Sequence, residues 1–479
     1  MIIDALRMIR FGMANPLFRI FLRIGTLRST KGYSLLELAL ANYAGESSPS
    51  SIIEYIYSLI IKLLFDRAAE AFGVNRVAVR DFLRPFVIRR GIANILIGIA
   101  INGVTKPQII NAPFLVVWNL TNMCNLRCKH CYQSAGKPSP DELTLNEKLQ
   151  VVNQLADAGV VVIALSGGEP LMHPHFLPVV KEARRRGIYV AVATNGTLIT
   201  KDMAKKMKEA GVCYVEVSLD SIKPEVHDNF RGVKGAWERA IQGIKNCVEQ
   251  GIFTAVATTV TKLNMRDVPD LIRLAKKLGA RRFIHFNFIP TGRGKEVIEL
   301  DLSPLEREEL LKLLYKESEE VQIEVMSTAP QYARVVLQTS IGKSISPTHF
   351  YIGEESSWRI QTLADFIGGC GSGRLYCAIQ PNGDVTPCVF IPQLILGNLR
   401  KRSFMDIWHN NKVLKKFQCR EHMEGFCNKC KYKYVCGGCR ARSISYFNRI
   451  LAPDVGCIYN QQIWGMVTKG IRAKLTKRW

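Results

Sequence analysis

Three cysteines in one short run have the residue type and spacing of metal ligands. Cys124, Cys128 and Cys131 follow the pattern C-x3-C-x2-C. A structural zinc site and a fully protein-ligated 4Fe–4S cluster each need four ligands. Three thiolates complete a zinc site only if another residue, such as His130, joins them. On an iron–sulfur cluster they leave one iron open to bind a small molecule.

A second polar motif stands at the end of an apolar run. Residues 161–165 are apolar and predict a buried parallel strand, and Gly167, Gly168, Glu169 and Pro170 come just after it. Two glycines let the backbone approach a ligand closely. A carboxylate beside them can hold an ammonium group, so this turn is a candidate binding site for one.

The same alternation of strand and helix continues through residues 187–289. Apolar runs recur at intervals of roughly 30 residues, which indicates βα units and a parallel sheet. Ligands of such sheets bind at the carboxyl ends of the strands. Polar residues fall at the predicted ends, namely Glu169, Asn195, Ser218 and Asn287.

Together, the cysteine run and the Gly-Gly-Glu-Pro motif resemble those of the radical S-adenosylmethionine (SAM) enzymes. The resemblance implies an α/β fold with a partial (β/α)6 barrel. It also implies that SAM chelates the open iron and is cleaved reductively to a 5′-deoxyadenosyl radical, which abstracts hydrogen from an unactivated C–H bond. The implied SAM-binding residues are His130, Gly167, Gly168, Glu169, Pro170, Asn195, Ser218 and Arg231.

Nine further cysteines lie within residues 370–457, among short loops rich in Gly and Pro, and all but Cys419 are candidate ligands. No signal peptide is recognised in the sequence, so a reducing, cytoplasmic compartment is expected. Thiols concentrated in this way favour metal binding over disulfides. One or two zinc ribbons remain the alternative to iron–sulfur clusters.

This second cysteine group resembles the SPASM extension of radical SAM enzymes, through the Asn-Gly-Asp-Val-Thr-Pro-Cys hairpin and a C-x2-C-x5-C-x2-C run. The resemblance implies two auxiliary 4Fe–4S clusters, three clusters in all, with neither auxiliary cluster offering an iron to substrate. Auxiliary cluster I is assigned to Cys370, Cys377, Cys388 and Cys439, and cluster II to Cys427, Cys430, Cys436 and Cys457. Val389 stands where sulfatase-maturing relatives carry an aspartate, so that activity is not expected.

The chain of 479 residues is expected to divide into five segments. A helical, basic and apolar N-terminal region covers 1–110, and the radical SAM barrel covers 112–300. A helical connector covers 301–364, the SPASM domain 365–460, and a basic amphipathic tail 461–479.

The formal net charge of +24 raises the question of an acidic partner. Residues 1–28 and 463–479 have the pattern of basic amphipathic helices, which favours peripheral binding to an anionic membrane surface on the cytoplasmic side. The alternative is that the N-terminal helices pack on the barrel. No segment reaches the about 18 uncharged apolar residues of a membrane span. Scattered basic residues without a recognisable motif argue against nucleic acid.

The expected function is that of a radical SAM oxidoreductase or maturase, reduced by a protein such as ferredoxin or flavodoxin. A non-catalytic zinc or iron–sulfur binding protein is the competing class. For the substrate, the apolar and basic helices favour a membrane lipid or isoprenoid chain. The alternatives are peptide or protein modification, as a thioether or C–C cross-link, and oxidation of a tetrapyrrole or quinone precursor.

Overall fold

The computed structural model describes residues 15–28, 33–339 and 368–475. Its first part is helical, as the sequence predicted. The helices are α1 (Pro16–Ile24), α2 (Leu35–Tyr43), α3 (Ile52–Phe72), α4 (Arg76–Leu83) and α5 (Phe86–Asn102). The first four begin at polar side chains that accept a hydrogen bond from a free N–H of the first turn: Asn15, Ser34, Ser51 and Asn75. These helices enclose a small apolar core of their own, which includes Leu36, Leu40, Tyr57 and Ile61.

A single sheet of ten strands follows, in the order β10-β9-β8-β1-β2-β3-β4-β5-β6-β7. The strands are β1 (Leu115–Asn119), β2 (Val162–Ser166), β3 (Tyr189–Thr194), β4 (Tyr214–Ser218), β5 (Phe253–Val260), β6 (Arg282–Asn287), β7 (Glu324–Ser327), β8 (Tyr376–Ile379), β9 (Asp384–Thr386) and β10 (Gly397–Asn398). All pairings from β8 through β1 to β7 are parallel, and only β8–β9 and β9–β10 are antiparallel. The predicted α/β class with a parallel sheet is confirmed.

Helices cover one face of this sheet. They are α6 (Leu145–Ala158), α7 (Phe176–Arg185), α8 (Lys201–Ala210), α9 (Pro224–Arg231), α10 (Ala236–Glu249), α11 (Val268–Lys277), α12 (Pro304–Glu320) and α13 (Gln331–Thr339). Alternate strand residues, such as Val116, Val190, Val215 and Phe283, pack with these helices in the main core. The residues between them form a second cluster, which includes Ala191, Tyr214, Ala255 and Ile284. We call the side of the sheet that carries this second cluster the inner face.

The cysteine-rich part joins the sheet through β8, which pairs with β1. It continues as α14 (Phe404–Asn410), α15 (Lys412–Gln418), α16 (Phe426–Lys429), α17 (Arg440–Phe447) and α18 (Gln461–Leu475). Among the described residues no single helix is both long and apolar enough to cross a bilayer. Helices α4 and α5 meet that test only when taken together, across a bend of 99°.

Candidate functional site

The three cysteines of the first motif lie in the loop after β1. Cys124, Cys128 and Cys131 pack in one cluster with Leu126 and Ala236. Cys128 is buried, and the other two are partly exposed. Burial raises the pKa of the Cys124 thiol to about 12. A metal or cluster that takes these sulfurs as thiolates must therefore release their protons on binding.

The loop is fixed by hydrogen bonds to its own carbonyl groups. Arg293 donates from Nε to the carbonyl of Cys128 at 3.0 Å and from Nη1 to that of Ala135 at 2.7 Å. The Arg127 N–H donates to the carbonyl of Arg231 at 3.0 Å. These hydrogen bonds hold the backbone of the loop that carries the three thiols.

The glycine turn after β2 lies directly against this loop. Gly168 N–H donates to the Thr121 carbonyl at 2.8 Å, and Glu169 N–H donates to the Met123 carbonyl at 2.7 Å. A Cβ at position 168 would lie 2.0 Å from the Met123 oxygen. Gly167 has φ of +126°, a conformation that favours glycine. The two motifs thus form one unit, in which only glycine allows the close approach.

Glu169 is the buried carboxyl of this unit. It accepts hydrogen bonds from Thr194 Oγ1 and from Asn195 N–H, both at 2.8 Å, and from Leu171 N–H at 3.2 Å. Burial outweighs these bonds and raises the pKa of Glu169 to about 7. A cation bound beside it would lower that pKa and keep the group ionised. Pro170 then opens a short 3-10 turn.

The ends of β3 and β4 supply the next two predicted residues. Asn195 is buried, and its Nδ2 donates to Asn125 Oδ1 at 2.8 Å, so it ties the end of β3 to the cysteine loop. Ser218 ends β4 and is partly exposed. Both residues lie at the carboxyl edge of the sheet, where the sequence placed them.

Arg231 and His130 meet at one buried carboxylate. Arg231 Nε donates to Asp220 Oδ2 at 2.6 Å, and its Nη1 lies 3.9 Å from Cys128 Sγ. Burial by itself would raise the pKa of Asp220, but the Arg231 guanidinium lowers it below the usual value. His130 stacks on Phe230 at 4.1 Å between ring centroids. Burial lowers the pKa of His130 to about 3, so the imidazole is neutral, and its buried Nδ1 has no partner among the described residues.

The cysteines assigned to auxiliary cluster II line one cavity. Cys427, Cys430, Cys436 and Cys457 surround it together with Arg334. Backbone N–H groups donate to two of the sulfurs, with Tyr432 to Cys430 and Gly438 to Cys436, both at 3.4 Å. Such donors favour thiolate over thiol. The donor set therefore fits a four-thiolate cluster.

Only part of the set assigned to auxiliary cluster I comes together. Cys370, Cys388 and Cys439 lie near one another. Cys370 interacts electrostatically with both of the others, and Cys388 and Cys439 belong to the same apolar cluster. Tyr376 donates its hydroxyl to Cys388 Sγ at 2.6 Å. Cys377 is the exception. It pairs in register with Val116 and is buried in the main core on the helix-covered face.

The assignment of Cys377 to auxiliary cluster I therefore stays a prediction, and its place in the main core argues against it. Adjacent strand residues point to opposite faces, so Tyr376 and Cys377 cannot both reach the same group. Tyr376 belongs to the cluster with Cys388. Among the described residues, no three or more His, Cys, Asp or Glu side chains are arranged around a single metal ion.

Sequence reasoning missed a carboxyl on the inner face. Glu216 lies in the middle of β4, two residues before Ser218, and burial raises the pKa of Glu216 to about 7. The sequence Tyr-Val-Glu-Val-Ser alternates between the two faces of the strand, and this pattern could have placed Glu216 on the same face as Tyr214 and Ser218. Nearby, Arg282 is paired with Glu324 at 2.6 Å and lies over the Phe253 ring at 5.1 Å.

A buried polar network joining the barrel to the cysteine-rich part was also missed. Arg442 of α17 donates to the Phe288 carbonyl and to Asn287 Oδ1, both at 2.7 Å, and it also pairs with Asp301. Arg307 binds the same two side chains, with 2.7 Å to Asp301. Asn287 was expected at a ligand-binding strand end, and the structure instead shows it as a member of this network.

Comparison with known proteins identifies two family models in the chain. The radical SAM superfamily model matches residues 118–275, and the SPASM model, an iron–sulfur cluster-binding domain, matches residues 370–431. An AdoMet-dependent heme synthase from Methanosarcina barkeri is 36% identical over 351 residues, which is 73% of this chain and 97% of that protein. The mycofactocin maturase MftC of Mycobacterium tuberculosis is 28% identical over 354 residues, covering 73% of this chain and 84% of MftC.

Solved structures with the same fold include Streptococcus suis SuiB bound to S-adenosylmethionine. It aligns with a TM-score of 0.62 at 17% identity and covers 85% of this chain and 89% of SuiB. Native anSMEcpe with bound AdoMet aligns with a TM-score of 0.54 at 20% identity, covering 76% of this chain and 98% of that one. At these identities the likeness concerns the fold alone.

Proposed function

Because this chain belongs to the radical SAM superfamily and carries a SPASM domain, we propose that it abstracts hydrogen from the alkyl chain of a membrane lipid or isoprenoid. It is an enzyme that binds SAM and iron–sulfur clusters. When bound, SAM and its cluster supply a 5′-deoxyadenosyl radical, which takes a hydrogen atom from the substrate. The proposal includes the division of the chain into the five segments predicted from the sequence.

In this proposal the first motif holds the SAM cluster through Cys124, Cys128 and Cys131. The Glu169 carboxylate accepts the SAM amino group, and Asn195 and Ser218 bind SAM at the neighbouring strand ends. Asp220 accepts a hydrogen bond from Arg231 Nε at 2.6 Å. This contact orients the Arg231 guanidinium toward Cys128 and toward the carboxylate of bound SAM. The neutral His130 packs beneath Asp220, and Gly167, Gly168 and Pro170 shape the turn.

The cysteine-rich domain is proposed to hold the two auxiliary clusters. Cluster II takes the four thiolates that line its cavity. Cluster I takes Cys370, Cys388 and Cys439, while Cys377 stays in the core. Since the chain belongs to a reductively activated family, a reductant such as ferredoxin or flavodoxin is the expected protein partner, in the cytoplasm.

The observation that carries the substrate proposal is the chemistry of the inner face. Arg282 is the one Lys or Arg within the described strands, and Glu324 neutralises it at 2.6 Å. The rest of the inner face is apolar, apart from Glu216 and the polar residues that end the strands. A surface of this kind binds an uncharged alkyl chain and offers no counter-ion for a substrate with several carboxylates.

A tetrapyrrole is the second candidate, because the relatives that are at least 32% identical include three heme synthases and an Fe-coproporphyrin III synthase. The match to the heme synthase of Methanosarcina barkeri covers 97% of that protein but 73% of this chain. About a quarter of this chain therefore has no counterpart in the heme synthase, and a lipid substrate would give that additional part a role. Peptide or protein modification is the third candidate, supported by the 28% identical maturase MftC and by the fold likeness to SuiB bound to its precursor peptide.

The decisive experiment compares three conditions for the anaerobically reconstituted enzyme, each with SAM and dithionite. These are a perdeuterated isoprenoid or acyl lipid in vesicles, iron coproporphyrin III, and no substrate. We expect deuterium in 5′-deoxyadenosine with the lipid only, measured by mass spectrometry. If the enzyme converted the porphyrin and no deuterium passed from the lipid to 5′-deoxyadenosine, the tetrapyrrole would be the substrate instead.

A further inference from the structure

Helix α3 exposes a long apolar stripe to solvent. Ile52, Ile56, Leu59 and Leu63 recur at the spacing that places side chains on one side of a helix, and they are 53–75% exposed. Ile53, Tyr55 and Ile60 widen the stripe. The opposite side of α3 is buried, with Tyr57 and Ile61 in the N-terminal core.

Helix α1 adds a second stripe beside the first. Leu17, Ile20 and Ile24 are 43–75% exposed and lie on one side of α1. The two helices are joined where Phe21 stacks on Tyr57 at 4.5 Å between ring centroids, and where the Tyr57 hydroxyl donates to the Phe21 carbonyl at 3.3 Å. We call the two stripes together the docking face. Soluble monomers rarely expose this many large apolar side chains on two helices in contact unless these side chains bind something.

Among the described residues of the N-terminal region, most of the exposed charged side chains are basic. Residues 1–110 contain fourteen Lys and Arg against seven Asp and Glu. On α3, Lys62 and Arg67 are exposed, whereas Glu54 is buried and caps the helix start through Ser50, and Asp66 accepts from the Tyr43 hydroxyl at 2.9 Å. Glu54 and Asp66 are thus turned to internal partners, whereas Lys62 and Arg67 face solvent. The remaining acidic residue of α3, Glu70, is exposed and is paired with Arg76.

We propose that the docking face binds the surface of an anionic lipid bilayer. The apolar stripes enter the boundary between headgroups and acyl chains, and Lys62 and Arg67 contact anionic headgroups, as in amphipathic helices that lie in the plane of a membrane. This inference rests on the proposed function, because an enzyme that acts on a membrane lipid has to reach a bilayer.

A second copy of the chain is a poorer occupant of this face. Two copies would bring together two basic N-terminal regions in a protein whose formal charge is +24, and like charges oppose such contact. An anionic bilayer instead supplies the opposite charge over the whole face. Charge complementarity therefore selects the membrane.

The test is co-sedimentation of the full-length holoenzyme with vesicles of equal parts phosphatidylglycerol and phosphatidylcholine, or of phosphatidylcholine alone. The docking variant combines Ile56→Ser, Leu59→Ser and Leu63→Ser. Its matched control combines Leu263→Ser, Leu305→Ser and Ile395→Ser, three residues of 51–55% exposure outside the N-terminal region. Iron content and circular dichroism establish that each variant is folded.

We expect wild type and control to bind the anionic vesicles equally, and the docking variant to bind at least about tenfold more weakly, because burying each of these side chains is favourable. Lys62→Gln with Arg67→Gln should weaken binding to anionic vesicles and reduce its salt dependence. Equal binding by wild type and docking variant would overturn the inference, as would a wild-type dimer that the docking variant converts to monomer. Sedimentation needs no turnover, so vesicle binding by an enzyme that leaves lipid unchanged would overturn only the substrate proposal.

Discussion

Glu169 gives a prediction whose size follows from the structure. Its side chain is buried, and burial raises its pKa to about 7. A bound ammonium favours the carboxylate, so SAM affinity should increase with pH up to that pKa and then level off. From pH 7.5 down to pH 6 the ionised fraction falls roughly eightfold, and we expect SAM affinity to fall by the same factor, about 1.2 kcal/mol.

Glu169→Gln removes the charge while keeping the size of the side chain. A hydrogen bond to a charged group contributes about 1.5–3 kcal/mol, so SAM should bind about 10- to 150-fold more weakly, with an affinity that no longer changes between pH 6 and 7.5. Glu216→Gln is the matched control, because burial also raises the pKa of Glu216 to about 7. It should keep the pH dependence of the wild type.

The measurement is equilibrium dialysis of SAM against cluster-loaded enzyme at several pH values, with iron content determined at each. A Glu169→Gln enzyme that retained the pH dependence would refute the assignment. So would a Glu216→Gln enzyme that lost it, because the titrating group would then lie on the inner face rather than beside the glycine turn.

Three further outcomes are expected. Changing all three cysteines of the C-x3-C-x2-C run to Ala should remove about one third of the iron and abolish 5′-deoxyadenosine formation, since each 4Fe–4S cluster is one of three. Residual cleavage of SAM in that variant would contradict the cluster assignment. Cys377→Ala should leave the iron content unchanged, whereas Cys370→Ala should lower it, and iron loss in both would restore Cys377 as a ligand. Arg442→Ala should destabilise the protein by about 3–5 kcal/mol in denaturant unfolding, because it leaves buried Asp301 without one of its partners. Unchanged stability would show that Arg307 and the Tyr446 hydroxyl, at 2.7 Å and 2.8 Å, satisfy that carboxylate without Arg442.

The sequence was sufficient for those parts of the site that are contiguous in the chain. The cysteine run and the Gly-Gly-Glu-Pro turn each carry their chemistry within a few residues, and the apolar runs between them indicated the parallel strands. The positions of Asn195 and Ser218 at the carboxyl edge of the sheet were also predictable, because each stands at the end of a predicted strand.

Features that depend on distant pairing were beyond that reasoning. The direction of Cys377 follows from the register of β8 with β1, whose partner Val116 is far away in the chain. The contact of Arg442 with Asp301 joins residues 141 positions apart. Residues 52–65 of α3 are mostly apolar, so only the packing of Tyr57 and Ile61 into the N-terminal core reveals which side is left exposed.

The position of the N-terminal helices constrains how a lipid chain could reach the radical. Arg90 of α5 donates to the carbonyl groups of Ala156 at 2.6 Å and Gly187 at 3.2 Å, and both residues precede strands. These helices therefore pack at the amino ends of β2 and β3, whereas Glu169 follows the carboxyl end of β2. A chain drawn from a bilayer at the docking face has to cross the sheet from one edge to the other. Apart from Glu216, the inner face offers a largely apolar surface over that distance.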